Sequence, residues 1–212
     1  MSAQPAGARV EEPPLLAVRD LTIEFPTVAG PRPAVKNLDL DIRRGEILGI
    51  VGESGSGKST LAYALLNYVS RPGRIAGGSV VLNERGDVLQ WRGDQLREYR
   101  GGTVGYVFQA SQNAMNPLKK VGKQLLDIGR SHGVRDLRKL LADARDLCDR
   151  MGLDGRRVLD AYQHELSGGM RQRVGIVFAL VLSADVLVLD EPTTALDMLS
   201  QAAVLDIVRQ IH

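Results

Sequence analysis

The segment Gly52-Glu53-Ser54-Gly55-Ser56-Gly57-Lys58-Ser59-Thr60 constrains the fold more than any other part of this chain. It fits G-x-x-x-x-G-K-[ST] through Gly52, Gly57, Lys58 and Ser59. Such a loop must bend sharply, with successive backbone N–H groups turned inward, and only glycines permit that bend. The flanks supply the required context. Ile47 to Val51 is a short apolar run of the kind buried in a parallel sheet, and Thr60 to Val69 reads as a helix. A strand, a phosphate loop and a helix in this order imply an α/β nucleotide-binding core. Gly52, Ser54, Gly55, Gly57, Lys58, Ser59 and Thr60 are then the expected cradle for a nucleotide's phosphates. Lys58 would reach the β- and γ-phosphates, Ser59 would ligate Mg²⁺, and Thr60 would support the α-phosphate side. The helix adds its N-terminal dipole.

A second feature lies far downstream. Val186-Leu187-Val188-Leu189 is an apolar run ending in Asp190-Glu191. Two adjacent carboxylates at a buried strand end are costly unless they serve a metal and a reaction. Asp190 is placed to hold Mg²⁺ through a water, and Glu191 to orient and deprotonate an attacking water. A solvated acidic turn would look the same if no phosphate loop preceded it. Between the two features lies Leu166-Ser167-Gly168-Gly169-Met170, opening a helix over Gly169 to Leu182. Ser167 can cap that helix, or its hydroxyl and the N–H groups of Gly168 and Gly169 can meet a phosphate.

The rest of the chain is read from periodicity. Met1 to Pro14 is rich in Ala, Pro and Gly without apolar period and reads as a flexible tail, which leaves 15–212 as one domain. Strands are expected at Leu16 to Phe25, Ala34 to Ile42, Gly78 to Leu82, Thr103 to Phe108 and Val186 to Leu189, with Thr27 to Pro33 a Gly/Pro loop. A short helix is expected at Gln95 to Arg100. Leu137, Leu140, Leu141, Ala144, Leu147, Cys148 and Met151 mark one face of a long helix, and Leu199 to Ile211 is a last helix. The fold class is therefore a RecA-like P-loop core, with an antiparallel β subdomain before it and a helical subdomain inserted at about 110–166.

With 212 residues the chain can bury one good core. The net charge of +2 is too small to argue for nucleic acid or a membrane surface. The longest apolar stretch, Val174 to Ala184, falls short of the roughly 20 residues a span requires. Cys148 is the only cysteine and falls on the helix face just named, so it reads as a buried, unreactive thiol.

Phosphate loop, Leu166–Met170 motif and Asp190-Glu191, in that order, resemble the nucleotide-binding domain of ABC transporters. Within that family the chain is similar to ATPase subunits of peptide and nickel importers. The residues behind this are Val51 to Lys58, the Phe108-Gln109 pair followed by Asn116-Pro117, and His164 to Arg173. The resemblance implies an ATPase that energises import. ATP would be sandwiched between the phosphate loop of one subunit and Ser167, Gly168 and Gly169 of a second, identical or related, in a head-to-tail dimer. It implies that Gln109 touches Mg²⁺ or water, that Asp197, in Ala195-Leu196-Asp197, lies across the dimer interface, and that Phe25 stacks on adenine. Phe25 also alternates as a core strand residue does. His164 has no chemistry assigned and is expected to cap or to fill core. The implied partners are membrane-spanning subunits met through the surface after Gln109. The chain would sit peripherally at the cytoplasmic face of the cell membrane, without nucleic acid. The family has a further strand ending in a switch histidine; His212 lies in a helical pattern and is not that residue, so the chain is expected to be C-terminally truncated. Two other classes fit parts of the pattern: a soluble ABC ATPase acting on nucleic acid, and a non-hydrolysing nucleotide-binding fragment.

Overall fold

A computed structural model describes residues 13–83, 85–108, 115–191 and residue 201. The chain divides into two compact units, Met1–Gln90 and Trp91–His212.

The first unit is built on a four-stranded antiparallel sheet of order β2-β1-β3-β4. Its strands are β1 (Leu16–Thr27), β2 (Gly30–Ile42), β3 (Arg74–Leu82) and β4 (Gly86–Asp87). The alternation of β1 changes parity midway. Leu16 and Val18 are buried, then Leu21 and Ile23. Side chains on a strand alternate faces with period two, so an extra residue is needed to keep both pairs inward. The register with both neighbours shifts between Val18 and Leu21 and between Arg19 and Thr22. Asp20 there has φ +48, and Gly78 opposite has φ +93. A Cβ on Gly78 would lie 2.5 Å from the Asp20 carbonyl oxygen, so only glycine lets the bulge close. The expected Thr27 to Pro33 loop is instead a two-residue turn at Val28 and Ala29 within a hairpin, with the Thr27 hydroxyl donating to the Gly30 carbonyl at 2.6 Å. Pro31 and Pro33 are tolerated in β2 because β2 is an edge strand of this sheet, where ladder donors can be missing. Helix α1 (Lys58–Leu65) buries Leu61, Ala64 and Leu65.

Ile47 to Val51 departs from expectation. It forms no strand, and Ile47, Leu48, Ile50 and Val51 are 64, 40, 48 and 93 % exposed. A parallel strand exists only through neighbours that complete its ladder. Among the described residues neither sheet pairs with this run.

The second unit holds a parallel pair, β5 (Val104–Val107) with β6 (Val186–Leu189), in register Tyr106↔Val188 and Val107↔Leu189. Short helix α2 (Gly93–Glu98) precedes it. Helices α3 (Val121–Ser131), α4 (Leu137–Arg150) and α5 (Gly155–Asp160) come between the two strands in sequence, followed by α6 (Gly168–Leu180). The long amphipathic helix is where its spacing put it: Leu140, Ala144, Leu147 and Cys148 are buried against Val121, Leu125, Val174 and Val177 in one apolar cluster. Burial of each Leu or Val there contributes about 1.5–3 kcal/mol relative to exposure. Asp136 caps α4 by accepting from the Lys139 N–H at 2.9 Å, and Asp154 caps α5 from the Arg157 N–H at 3.0 Å. Nearly all of the expected N-terminal tail, and the expected last helix apart from Gln201, lie outside the described residues.

Candidate functional site

The phosphate loop is exposed, and its backbone takes the conformation its glycines allow. Gly55 and Gly57 have φ +79 and +95. Gly57 is the N-cap of α1, so the loop delivers its N–H groups directly to a helix N-terminus. A Cβ on Gly57 would meet the Ala34 carbonyl oxygen at 2.5 Å, and one on Gly52 would meet the Ser56 hydroxyl at 2.8 Å. The Lys58 ammonium is folded over the loop, donating to the carbonyls of Gly52 at 2.7 Å and Glu53 at 2.8 Å. Its charge is therefore held where an anion in the cradle would meet it, by weak neutral acceptors that a phosphate outcompetes. Ser59 and Thr60 follow on the first turn of α1, half-buried.

Phe25 lies near the end of β1, opposite Arg32, and is half-buried. Its ring covers Gly73, where an added Cβ would touch ring atoms at 2.7 and 2.8 Å. That packing explains the strand-like alternation and leaves part of the ring open.

In the second unit, β6 ends at Leu189 and the ladder runs one bond further, from the Asp190 N–H to the Val107 carbonyl at 3.0 Å. Asp190 is thereby fixed as the next position of the strand and is only 8 % exposed. The Tyr106 hydroxyl donates to Asp190 Oδ2 at 3.1 Å. Glu191 is exposed and has φ +50, a left-handed conformation uncommon for a residue with a side chain. The two adjacent carboxylates are thus unlike in environment, one buried and hydrogen-bonded, the other at the surface on a strained turn. Mg²⁺ is commonly held by one or two carboxylates plus hydroxyls and phosphates. A buried carboxylate steadied by a phenol suits that hard cation. Among the described residues no group of three or more His, Cys, Asp or Glu forms a metal cage.

Ser167 is the N-cap of α6 and accepts from the Met170 N–H at 3.3 Å. Gly168 and Gly169 form the first turn. The cap is therefore real, and the same turn presents N–H groups at an exposed helix end. The Arg171-Gln172-Arg173 run is structural in large part. Gln172 is buried, and the Arg173 guanidinium donates to the carbonyls of Gly169 at 3.2 Å and Met151 at 3.0 Å, joining α6 to the end of α4. His164 neither caps nor fills core. It is exposed, with its ring stacked on Tyr162 at 5.6 Å. Gln109 and Asp197 lie outside the described residues.

Cys148 is buried as its helix position implied, and burial first, then Asp149, pushes its thiol up to about 12. A cavity of ≈ 870 Å³ opens between α3, α4 and α5 and contains none of the motif residues. Gly52 to Ser56, Ser167 and Glu191 are instead exposed. Among the described residues no helix is long and apolar enough to cross a membrane. Sequence reasoning missed Tyr106. Its only signal was a phenol in an otherwise apolar strand, one position before the end of β5 on the face shared with the buried carboxylate.

Comparison with known proteins bears on both units. Residues 35–194 match the family model described as ABC transporter. The oligopeptide transport ATP-binding protein OppD of Lactococcus lactis subsp. cremoris is 38% identical over 204 residues, covering 96% of this chain and 60% of that protein. The probable D,D-dipeptide transport ATP-binding protein DdpD of Escherichia coli is 40% identical over 203 residues, covering 92% of this chain and 60% of that one. This chain thus spans about 60% of the length of these relatives. A dimeric, post-hydrolysis ATP-binding cassette bound to ADP and Pi matches with a TM-score of 0.79 at 25% identity, over 92% of this chain and 82% of that one.

Proposed function

The chain belongs to the ABC transporter family, and from that premise we propose that it binds MgATP and hydrolyses it to energise import of peptides. The observation that carries the reading is the phosphate loop. Its glycines hold left-handed conformations at the cap of α1, and Lys58 is folded across its carbonyls. On binding, Lys58 exchanges those carbonyls for the β- and γ-phosphates, while Gly52, Ser54, Gly55, Gly57 and Thr60 surround them. Ser59, Asp190 and Gln109 are the residues that would hold Mg²⁺, which supplies charge neutralisation on the phosphates. Glu191 takes the proton of the attacking water. Its exposure beside a buried Asp190 supports a division of labour between the two carboxylates.

Phe25 stacks on adenine with the open part of its ring. Ser167, Gly168 and Gly169 meet the γ-phosphate bound to a second ATP-binding subunit, which Asp197 also contacts, in a head-to-tail dimer. The N-cap role of Ser167 is compatible with this, because a hydroxyl that accepts from the Met170 N–H keeps its own O–H to donate to a phosphate oxygen. The dimeric, ADP-bound relative in fold supports this arrangement. The partners are membrane-spanning subunits, with this chain peripheral at the cytoplasmic face of the membrane. Peptide as the substrate class is supported by the names of the relatives, which include oligopeptide and dipeptide transport proteins. The test is Lys58→Ala, followed by calorimetric titration with MgATP. Hydrogen bonds to charged groups contribute about 1.5–3 kcal/mol each, so affinity should fall at least about tenfold. Equal affinities would remove the loop as the site.

A further inference from the structure

Resting on the reading above, we infer that Tyr106 is a positioning residue for Asp190, setting the orientation in which that carboxylate serves the Mg²⁺ of MgATP. Strand geometry places it there. Val188 and Asp190, two apart on one strand line, share a face. Val188 pairs with Tyr106 across the parallel ladder, which continues through the Asp190 N–H to the Val107 carbonyl at 3.0 Å. A long side chain from Tyr106 therefore reaches forward to the carboxylate, and its hydroxyl donates to Oδ2 at 3.1 Å. The ring is braced by Phe108, with centroids 4.6 Å apart and planes at 49°. Asp190 is 8 % exposed, so solvent does little to hold its oxygens, and the phenol is a directional donor to its carboxyl group. A hydrogen bond at one oxygen restricts rotation of the carboxylate and so sets its plane. Such outer partners commonly tune metal affinity by about 10- to 100-fold.

Tyr106 also belongs to β5, the strand that runs in sequence into Gln109. One phenol thus ties the carboxylate at the end of β6 to the strand leading to a second expected Mg²⁺ contact. The experiment is Tyr106→Phe in the 212-residue chain, which keeps the ring, its contact with Phe108 and the strand propensity. Free Mn²⁺ is titrated by electron paramagnetic resonance at saturating ATPγS. Nucleotide affinity in EDTA and the thermal midpoint are measured alongside. The variant should need about 10- to 100-fold more Mn²⁺ for half-saturation, with metal-free nucleotide binding and midpoint unchanged. Coincident Mn²⁺ curves overturn the inference alone. Parallel losses of Mn²⁺ and metal-free nucleotide binding make Tyr106 structural and also overturn it. A wild-type chain that retains no Mn²⁺ with nucleotide present overturns the MgATP reading, and the inference with it.

Discussion

Gly57→Ala and Gly55→Ala separate two costs that the phosphate loop combines. Both positions are left-handed, at φ +95 and +79, and an L side chain there costs about 1–2 kcal/mol. At Gly55 nothing lies within 4 Å of an added Cβ, so that conformational cost is the whole cost. At Gly57 the Cβ would stand 2.5 Å from the Ala34 carbonyl oxygen and 3.5 Å from Val35 Cγ2. Backbone on β2 cannot rotate aside as a side-chain tip would, so the loop itself must withdraw. If the loop accommodates Gly55→Ala by abandoning its binding geometry, about 1–2 kcal/mol becomes a roughly 5- to 30-fold weaker affinity for MgATP. Gly57→Ala should lose more than this and lower the thermal midpoint as well, because α1 and β2 are disturbed together. Calorimetric titration with MgATP and thermal melts of both variants decide the matter. Gly57→Ala binding as tightly as Gly55→Ala would refute the steric argument. Wild-type affinity in both would refute the role of left-handed backbone in the cradle.

Three further outcomes are expected. Glu191→Gln should bind MgATP as the parent does while phosphate release falls by roughly 10²–10⁴-fold; hydrolysis at the parent rate, read by a phosphate-release assay, would take the base role from Glu191. Ser167→Asp keeps a good N-cap but sets a negative charge against a partner's γ-phosphate, so α6 should stay intact by circular dichroism while MgATP-dependent dimerisation, followed by light scattering, is lost; a dimer of parental strength would confine Ser167 to capping. The Cys148 thiol, at 9.0 when exposed and about 12 in the fold, should resist iodoacetamide in the native chain and react once it is denatured. Because the unfolded thiol ionises first, stability is undiminished below 9.0 and falls as pH rises from there towards about 12, which denaturant midpoints across that window would reveal.

What could be read from the amino acids alone follows the range of the forces involved. α4 was legible because seven apolar positions fall on one face, and α6 because a Ser-Gly-Gly cap starts it. The phosphate loop was legible because few residue types can make that turn. The parity break in β1 was not, since it depends on Gly78 approaching Asp20 from another strand. The hairpin turn at Val28 and Ala29 was hidden by prolines whose tolerance depends on β2 being an edge. Burial of Ile47 to Val51 was expected from composition, but burial needs neighbours, and a local pattern does not provide them. Tyr106 shows the same limit at the site. Its value to Asp190 comes from register between two strands that bring together residues 84 apart in sequence.

The exposed run from Ile47 to Val51 also has a consequence for association between copies of this chain. Five consecutive uncharged residues, four of them aliphatic with high strand propensity, form the kind of window that nucleates intermolecular β-pairing. A net charge of +2 supplies little long-range repulsion to keep such windows apart. Glu46 and Glu53 bracket the run, where gatekeeper charges stand beside hydrophobic strands that have to be present. The two carboxylates are the charges nearest in sequence to oppose such pairing.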